Sequence, residues 1–354
     1  MKKARGEIKK TERARQFNFS FDFVVEVLFL IIIFYIATVF DRRLGIVFSG
    51  TKVAWLRALV AVILGVWAIK IIVKREHRFV RTPLDWPVVT FLFCTTIATL
   101  TSVHVYTSLV GFYGRFEGLT TWYLFGLMFF TVTNYIKTEE QLKRIIIAVV
   151  SSSTMMAVYS VIQRLGTDPY MWGGVPTKDR VIGLIGQPNF LAAYILMAFF
   201  MILPLYMMEK KWTVKEIDWY EQIFPVGYFL LVQTLFLVMI YNLEAYNIVL
   251  WYSGFTIITA SAILFAFFYD RLHPVILDVI LGLSLVMNYV CILFTQSRGG
   301  YMGLFTGIVL FAVVAGRRWI LSGWQKLLIL TFLILLISGV IMSQPGYSPF
   351  ERFT

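Results

Sequence analysis

Thr295-Gln296-Ser297-Arg298-Gly299-Gly300 is the stretch that decides how this chain is built. It separates two strongly apolar runs, residues 275–293 and 301–314. Each run is long enough to form all or most of a membrane-spanning helix, so the hexapeptide reads as a tight turn at the bilayer edge. An arginine in such a turn keeps its charge and offers five donors in a planar fork. Gly299 and Gly300 leave backbone N–H groups bare and let another group come close. The corner suits an anion held at the membrane surface, above all a phosphate. It suits simple contact with lipid headgroups equally well.

The whole chain agrees with a membrane reading. Hydrophobic residues make up 59% of the 354 and charged residues 15%, with mean hydropathy +0.76. A soluble domain carries about a quarter charged residues. The net charge of +12 would suggest a nucleic-acid partner in a soluble protein. Here the basic residues sit at the ends of apolar runs, where membrane orientation explains them, and no nucleic-acid partner is expected. Cys94 and Cys291 both fall inside apolar runs and read as small packing residues.

Eleven spans follow in order, at about 21–40, 53–73, 84–100, 120–136, 145–162, 190–208, 223–241, 248–268, 275–293, 301–314 and 327–342. The fold class is therefore an all-α polytopic membrane protein, since hydrocarbon leaves no water to satisfy open backbone. Continuous apolar runs in place of period-two alternation exclude an outer-membrane barrel. Residues 1–20 read as a basic cytoplasmic segment, 21–342 as the helical domain and 343–354 as the start of an outer loop. No small-residue cleavage site follows the first run, which is expected to stay as an anchor.

With the N-terminus inside, the inner segments carry 22 of the 32 lysines and arginines and the outer segments 10. That bias sets the orientation, although Arg42, Arg43 and Lys52 fall on the outer side. Trp122, Tyr123, Trp251 and Tyr301 flank spans as members of an aromatic belt. The inner loops are short and hold neither a P-loop nor a GxGxxG pattern, which argues against an ATP-driven pump. The outer side carries two irregular connections, 102–119 and 163–189, and loops on a rigid scaffold are where function concentrates.

Counting spans puts Arg115, Arg180 and Arg298 on the same outer face, each from a different helix pair. Three convergent guanidiniums would clamp a pyrophosphate through charge-assisted bonds about twice as strong as neutral ones. They would also stabilise a departing pyrophosphate without a metal. No Asp-x-Asp metal site of the nucleotide-sugar type occurs, and neither a metal nor a cofactor is expected. Three unrelated headgroup contacts remain the plain alternative.

Three stretches resemble the O-antigen ligase/polymerase family of bacterial envelope glycosyltransferases. They are Gly114-Arg115-Phe116-Glu117-Gly118-Leu119, then Arg180-Val181-Ile182-Gly183 running into Gly186-Gln187-Pro188-Asn189-Phe190, and Ser297-Arg298-Gly299-Gly300. Gln187 stands where the family usually has Asn. The resemblance implies a multi-pass enzyme of the bacterial cytoplasmic membrane. It would join a glycan from an undecaprenyl-pyrophosphate donor to a glycan, lipid or protein acceptor at the outer face. By the same likeness Arg298, Arg180 and Arg115 would bind the donor pyrophosphate, with Glu117 shaping the same cavity. Ser297, Gly299, Gly300, Gln187 and Asn189 would support it, Asn189 by capping the helix that follows.

The family continues into a large outer loop with a functional histidine, and residues 343–354 stand where that loop would begin. The expectation is a chain holding the donor half of the site, incomplete as an enzyme on its own. Its histidines are His77, His104 and His273. His104 reads either as an interfacial loop residue or as a base, and Glu117 and Asp168 are the other candidates for a catalytic role. Asp179 and Glu244 are further outer carboxylates. Glu26, Lys70 and Asp278 lie inside spans, close enough to the inner surface for roles in topology and packing. The alternative function is transport of a small, bicarbonate-like anion, some relatives of the family having been described that way. Membrane lipids are partners on either reading.

Overall fold

The computed structural model describes residues 21–74, 80–170, 172, 177–208, 219–242 and 247–343. The basic N-terminal segment, residues 344–354, His77 and Glu244 lie outside the described residues. Among the described residues the chain is helical, with no strand. Helix α1 (Phe21–Ile31) runs into a π-helical turn, Ile32–Ile36. There follow α2 (Ser49–Lys74), α3 (Asp85–Leu100), the short α4 (Val105–Val110), α5 (Leu119–Tyr135) and α6 (Glu139–Leu165). The rest are α7 (Pro188–Met207), α8 (Trp219–Asn242), α9 (Ile248–Phe268), α10 (Pro274–Thr295), α11 (Arg298–Ser322) and α12 (Trp324–Met342).

The long helices fall on the expected spans. Eight of them are long and apolar enough to cross a membrane, and Asp85–Leu100 is a shorter apolar helix. The protein is thus an all-α, multi-pass membrane protein. Boundaries differ where polar chemistry overrides hydropathy. Helix α6 starts at Glu139, well before the apolar run, because Thr138 and Gln141 form a reciprocal capping box. The first run leaves helical structure before Phe40, and the freed carbonyls are taken by side chains. Lys52 donates to Ala37 O at 2.6 Å, and Trp251 Nε1 donates to Phe40 O at 2.8 Å.

Helix α6 is the axis of the bundle. Seventy-two per cent of its spanning stretch is buried, against 11% for α11 and for α12 at the periphery. Its buried hydroxyls bond neighbouring helices in place of water. Ser152 meets Tyr194 OH at 2.7 Å, Thr154 donates to Ser284 at 2.8 Å, and Asn288 Nδ2 donates to Ser153 at 3.2 Å. Such bonds between spanning helices contribute on the order of 1 kcal/mol each. Cys291 is buried in this seam and donates to Ser160 at 3.2 Å, whereas Cys94 is exposed on α3; both are free thiols.

The charges expected inside spans are all paired. Arg144 Nε lies 2.5 Å from Glu26, Lys70 lies 2.6 Å from Asp22, and Lys326 lies 2.8 Å from Asp278. On the outer side the basic residues that weaken the charge bias are tied down. Arg43 pairs with Asp41 at 2.5 Å, and the Arg42 guanidinium sits 4.0 Å from the centre of the Tyr170 ring. Phe40 is fully buried and packs edge-on against Tyr170, Trp172, Trp251 and Phe255, locking the first outer loop onto the bundle. Trp251 is therefore a core residue, not part of an aromatic belt: its exposure is 0% and its indole N–H is spent on Phe40 O.

Candidate functional site

The segment bearing Arg180 is held from two sides. Gln163, at the end of α6, accepts through Oε1 from Ile182 N at 3.1 Å and Gly183 N at 2.8 Å. Val181 N donates to Phe294 O, near the end of α10, at 3.2 Å. Arg180 itself donates from Nε to Thr295 O at 2.8 Å and from Nη2 to Asn189 Oδ1 at 2.6 Å. A guanidinium bonded at both edges of its fork has a fixed plane.

The turn between α10 and α11 forms the other wall. Gln296 adopts the left-handed conformation (φ 47°) and reverses the chain within two residues. Buried Ser297 accepts at Oγ from Gly300 N at 3.3 Å, capping α11, and donates to Asn189 Oδ1 at 3.2 Å. Arg298 is the first residue of α11 and is exposed, as is Gly299 beside it. Together Arg180, Asn189, Gln296, Ser297, Arg298, Gly299 and Gly300 line a cavity of about 720 Å³, floored by Ala193 and Leu196.

Two helix N-termini converge here. Positions 300, 303 and 307 lie on one face of α11 and meet α7 in register. A Cβ on Gly300 would come 3.0 Å from Ala192, one on Gly303 2.5 Å from Leu196, and one on Gly307 would strike the Phe200 ring. Both numbers rise together, so α7 and α11 run parallel and start at the same mouth. Each start adds the partial positive charge of a helix N-terminus. A cationic Arg298 on that end is electrostatically unfavourable by itself and becomes favourable with an anion in place. No carboxylate is among the lining residues.

No protein-family model, curated protein or solved structure matches this chain.

The structure corrects several sequence expectations. Arg180 and Arg298 share the cavity, but Arg115 and Glu117 do not line it. Their loop docks instead on the start of α2, where Ser49 donates to Gly114 O. Counting spans identifies a face and says nothing of position around the bundle. Asn189 is not a cap: α7 begins at Pro188 with Gln187 in the cap position and no side-chain cap bond. Asn189, the second residue of α7, acts within its first turn as a double acceptor, and Gln187 is not among the lining residues.

The remaining candidates lie apart from the cavity. His104 is exposed at the start of α4. His273 caps α10, its Nδ1 accepting from Val275 N at 3.4 Å. Asp168 accepts at Oδ2 from Tyr159, Gln163 and Trp172 at 2.9, 3.2 and 2.8 Å, and at Oδ1 from Tyr170 N at 3.0 Å. With four donors on it, this carboxylate organises the outer loop. Asp179 is exposed, and its carbonyl accepts from Arg164 at 3.2 Å. Sequence reading missed the parallel pairing of α7 with α11, although the glycine spacing along α11 carried the signal.

Proposed function

We propose that the chain is a glycosyltransferase, or the donor-binding part of one, of the bacterial cytoplasmic membrane, using an undecaprenyl-pyrophosphate-linked glycan at the outer face. The observation that carries this reading is the union of Arg180, Arg298 and two parallel helix N-termini around one cavity with no carboxylate among its lining residues. Such a mouth favours an anion with several oxygens, because guanidinium forks and helix amides address different oxygens at once. Ala193 and Leu196 at its floor suit the greasy carrier that follows the diphosphate. The resemblance of the Arg180 and Arg298 motifs to O-antigen ligases and polymerases supplies the reaction class.

In that reaction an acceptor oxygen or nitrogen attacks the anomeric carbon while its bond to the diphosphate oxygen breaks. The electron pair leaves with the carrier diphosphate, and the acceptor's proton passes to that diphosphate or to solvent. Arg180 and Arg298 offset the charge that grows on the leaving group. Asn189 keeps Arg180 in plane.

The test separates binding from turnover. Purified chain in lipid nanodiscs is titrated with undecaprenyl pyrophosphate, and Arg180→Ala and Arg298→Ala are each expected to weaken binding about tenfold or more. The same proteins in liposomes with a lipid-pyrophosphate-linked glycan are assayed for released carrier. Wild-type binding by both variants overturns the clamp. Anion uptake without carrier release would assign the cavity to transport.

A further inference from the structure

A second pocket on the outer side has a different chemistry. About 210 Å³ in volume, it lies between the end of α3, α4 and the start of α5, and is lined by Thr95, Thr99, Ser108, Glu117 and Trp122 over an apolar base. Glu117 is exposed, and its carboxylate makes no ion pair or hydrogen bond among the described residues. Trp122 is 38% exposed. Thr95 spends its hydroxyl proton on the Phe91 and Leu92 carbonyls at 3.0 Å, and Thr99 spends its own on Thr95 O at 2.9 Å. Their oxygens are left to accept. The pocket therefore brings several acceptor oxygens together with one aromatic side chain.

The loop that presents Glu117 is built to hold it still. Gly111 and Gly118 close its two ends backbone to backbone: a Cβ on Gly111 would stand 2.5 Å from Glu117 N and from Phe116 C. Phe116, beside Glu117, has φ 56°, a left-handed value that a bulky side chain adopts only when its surroundings impose it. Those surroundings are visible. Thr121 donates to Phe116 O at 2.7 Å, and the Phe116 ring faces Gly50 at the start of α2. Phe48, two residues before Gly50, fills the space over Gly186 just ahead of α7, so the loop that carries Glu117 and the turn that precedes α7 both pack on residues 48–50.

We infer that this pocket is a saccharide subsite, taking one sugar ring with its C–H face on Trp122 and its hydroxyl edge toward Glu117, Thr95, Thr99 and Ser108. A sugar ring is the ligand that is apolar on one side and donor-rich on the other. A bare ammonium would use the carboxylate but leave the apolar base and most of the volume unfilled. The choice of an acceptor sugar rests on the glycan-transfer reading; the pocket's own chemistry does not.

The experiment is saturation-transfer NMR on the full chain in nanodiscs, with methyl α-glucopyranoside and methyl N-acetyl-β-glucosaminide as probes. Signal is expected on the ring C–H protons of at least one probe. Glu117→Ala and Trp122→Ala should weaken binding about tenfold, while Trp122→Phe, which keeps an aromatic face, retains part of it. Thermal midpoints of the variants identify any loss that is only unfolding. Binding of neither sugar, or unchanged binding by Glu117→Ala, overturns the subsite, as does displacement by ethanolamine phosphate in preference to sugar. Sugar binding that depends on Glu117 together with wild-type undecaprenyl-pyrophosphate binding by Arg180→Ala and Arg298→Ala would leave this subsite standing and remove the donor clamp on which the transfer reading rests.

Discussion

Arg180 and Arg298 carry the same group and are held in different ways. Arg180 is fixed by Thr295 O and Asn189 Oδ1, whereas Arg298 projects from the exposed first residue of α11. A lysine at 180 cannot reach both acceptors with one ammonium and still keep a planar fork toward the cavity. Arg180→Lys should therefore weaken undecaprenyl-pyrophosphate binding nearly as much as Arg180→Ala, while Arg298→Lys retains a measurable part. Asn189→Ala should fall between wild type and Arg180→Ala in the same titration. Of these relations, the shared face of the two arginines was legible from span parity, and the role of Asn189 was not. An Asn two residues into a helix looks like a cap in sequence, and only the approach of two other segments makes it an acceptor for both. Asp41 gives a residue-level pH effect. Burial pushes its carboxyl up, but hydrogen bonds from Arg43 and Tyr252 and the Arg43 charge outweigh burial and hold it below its usual range. The folded protein thus binds this proton less readily than the unfolded chain does. The resulting stability is present above the unfolded value of about 3.9 and disappears as pH falls through the lower folded value. In melting scans from pH 6 to pH 3, wild type should lose midpoint below about pH 4, and Asp41→Asn should lose less over that window.

At the scale of elements, the parallel contact of α7 with α11 sets the mouth of the cavity. Side chains on α7 enter the space that Gly300, Gly303 and Gly307 leave open, which lets the two backbones come close. A leucine at 307 would meet the Phe200 ring, and overpacking of this kind costs about 1–3 kcal/mol. Gly307→Leu should lower the thermal midpoint and weaken pyrophosphate binding together, although position 307 lies about 13 Å along α11 from Arg298 at about 1.5 Å rise per residue. Adding Phe200→Ala reopens the space and should restore much of both. A midpoint and affinity unchanged in Gly307→Leu would mean the helices do not depend on that contact. Hydropathy located nearly every spanning helix because the bilayer imposes a length on an apolar run. It could not pair α7 with α11, since a span count orders helices along the chain and not around the bundle. It also shortened α6, whose first turns, Glu139 to Arg144, are polar and are specified by the capping box of Thr138 and Gln141.

For the whole molecule, stability divides between an apolar bundle and a few ionic clasps near its inner edge. The bundle resists helix separation through the α6 hydroxyl seam, while the clasps tie helices that are far apart in sequence. Glu26 on α1 is the best example: it is 6% exposed and receives Arg144 Nε at 2.5 Å and Gln141 Nε2 at 3.2 Å from α6. Removing one partner of such a pair leaves a charge without compensation in a poorly hydrated place, whereas replacing both with apolar groups removes the desolvation cost as well. Glu26→Ala should therefore destabilise the protein by about 3 kcal/mol. Glu26→Leu combined with Arg144→Leu should recover most of that loss in the same thermal scan. Reporter fusions at the end of α3 would show whether the doubly substituted chain keeps its orientation, because Arg144 also belongs to the inner positive set. If Glu26→Ala melts with wild type, the clasp is solvated at the interface and the apolar packing of Phe34, Tyr35 and Phe40 is what joins the first helix to the rest. If it melts early and the double variant does not recover, Arg144 serves as an orientation charge as well as a partner, and reporter topology would shift with it.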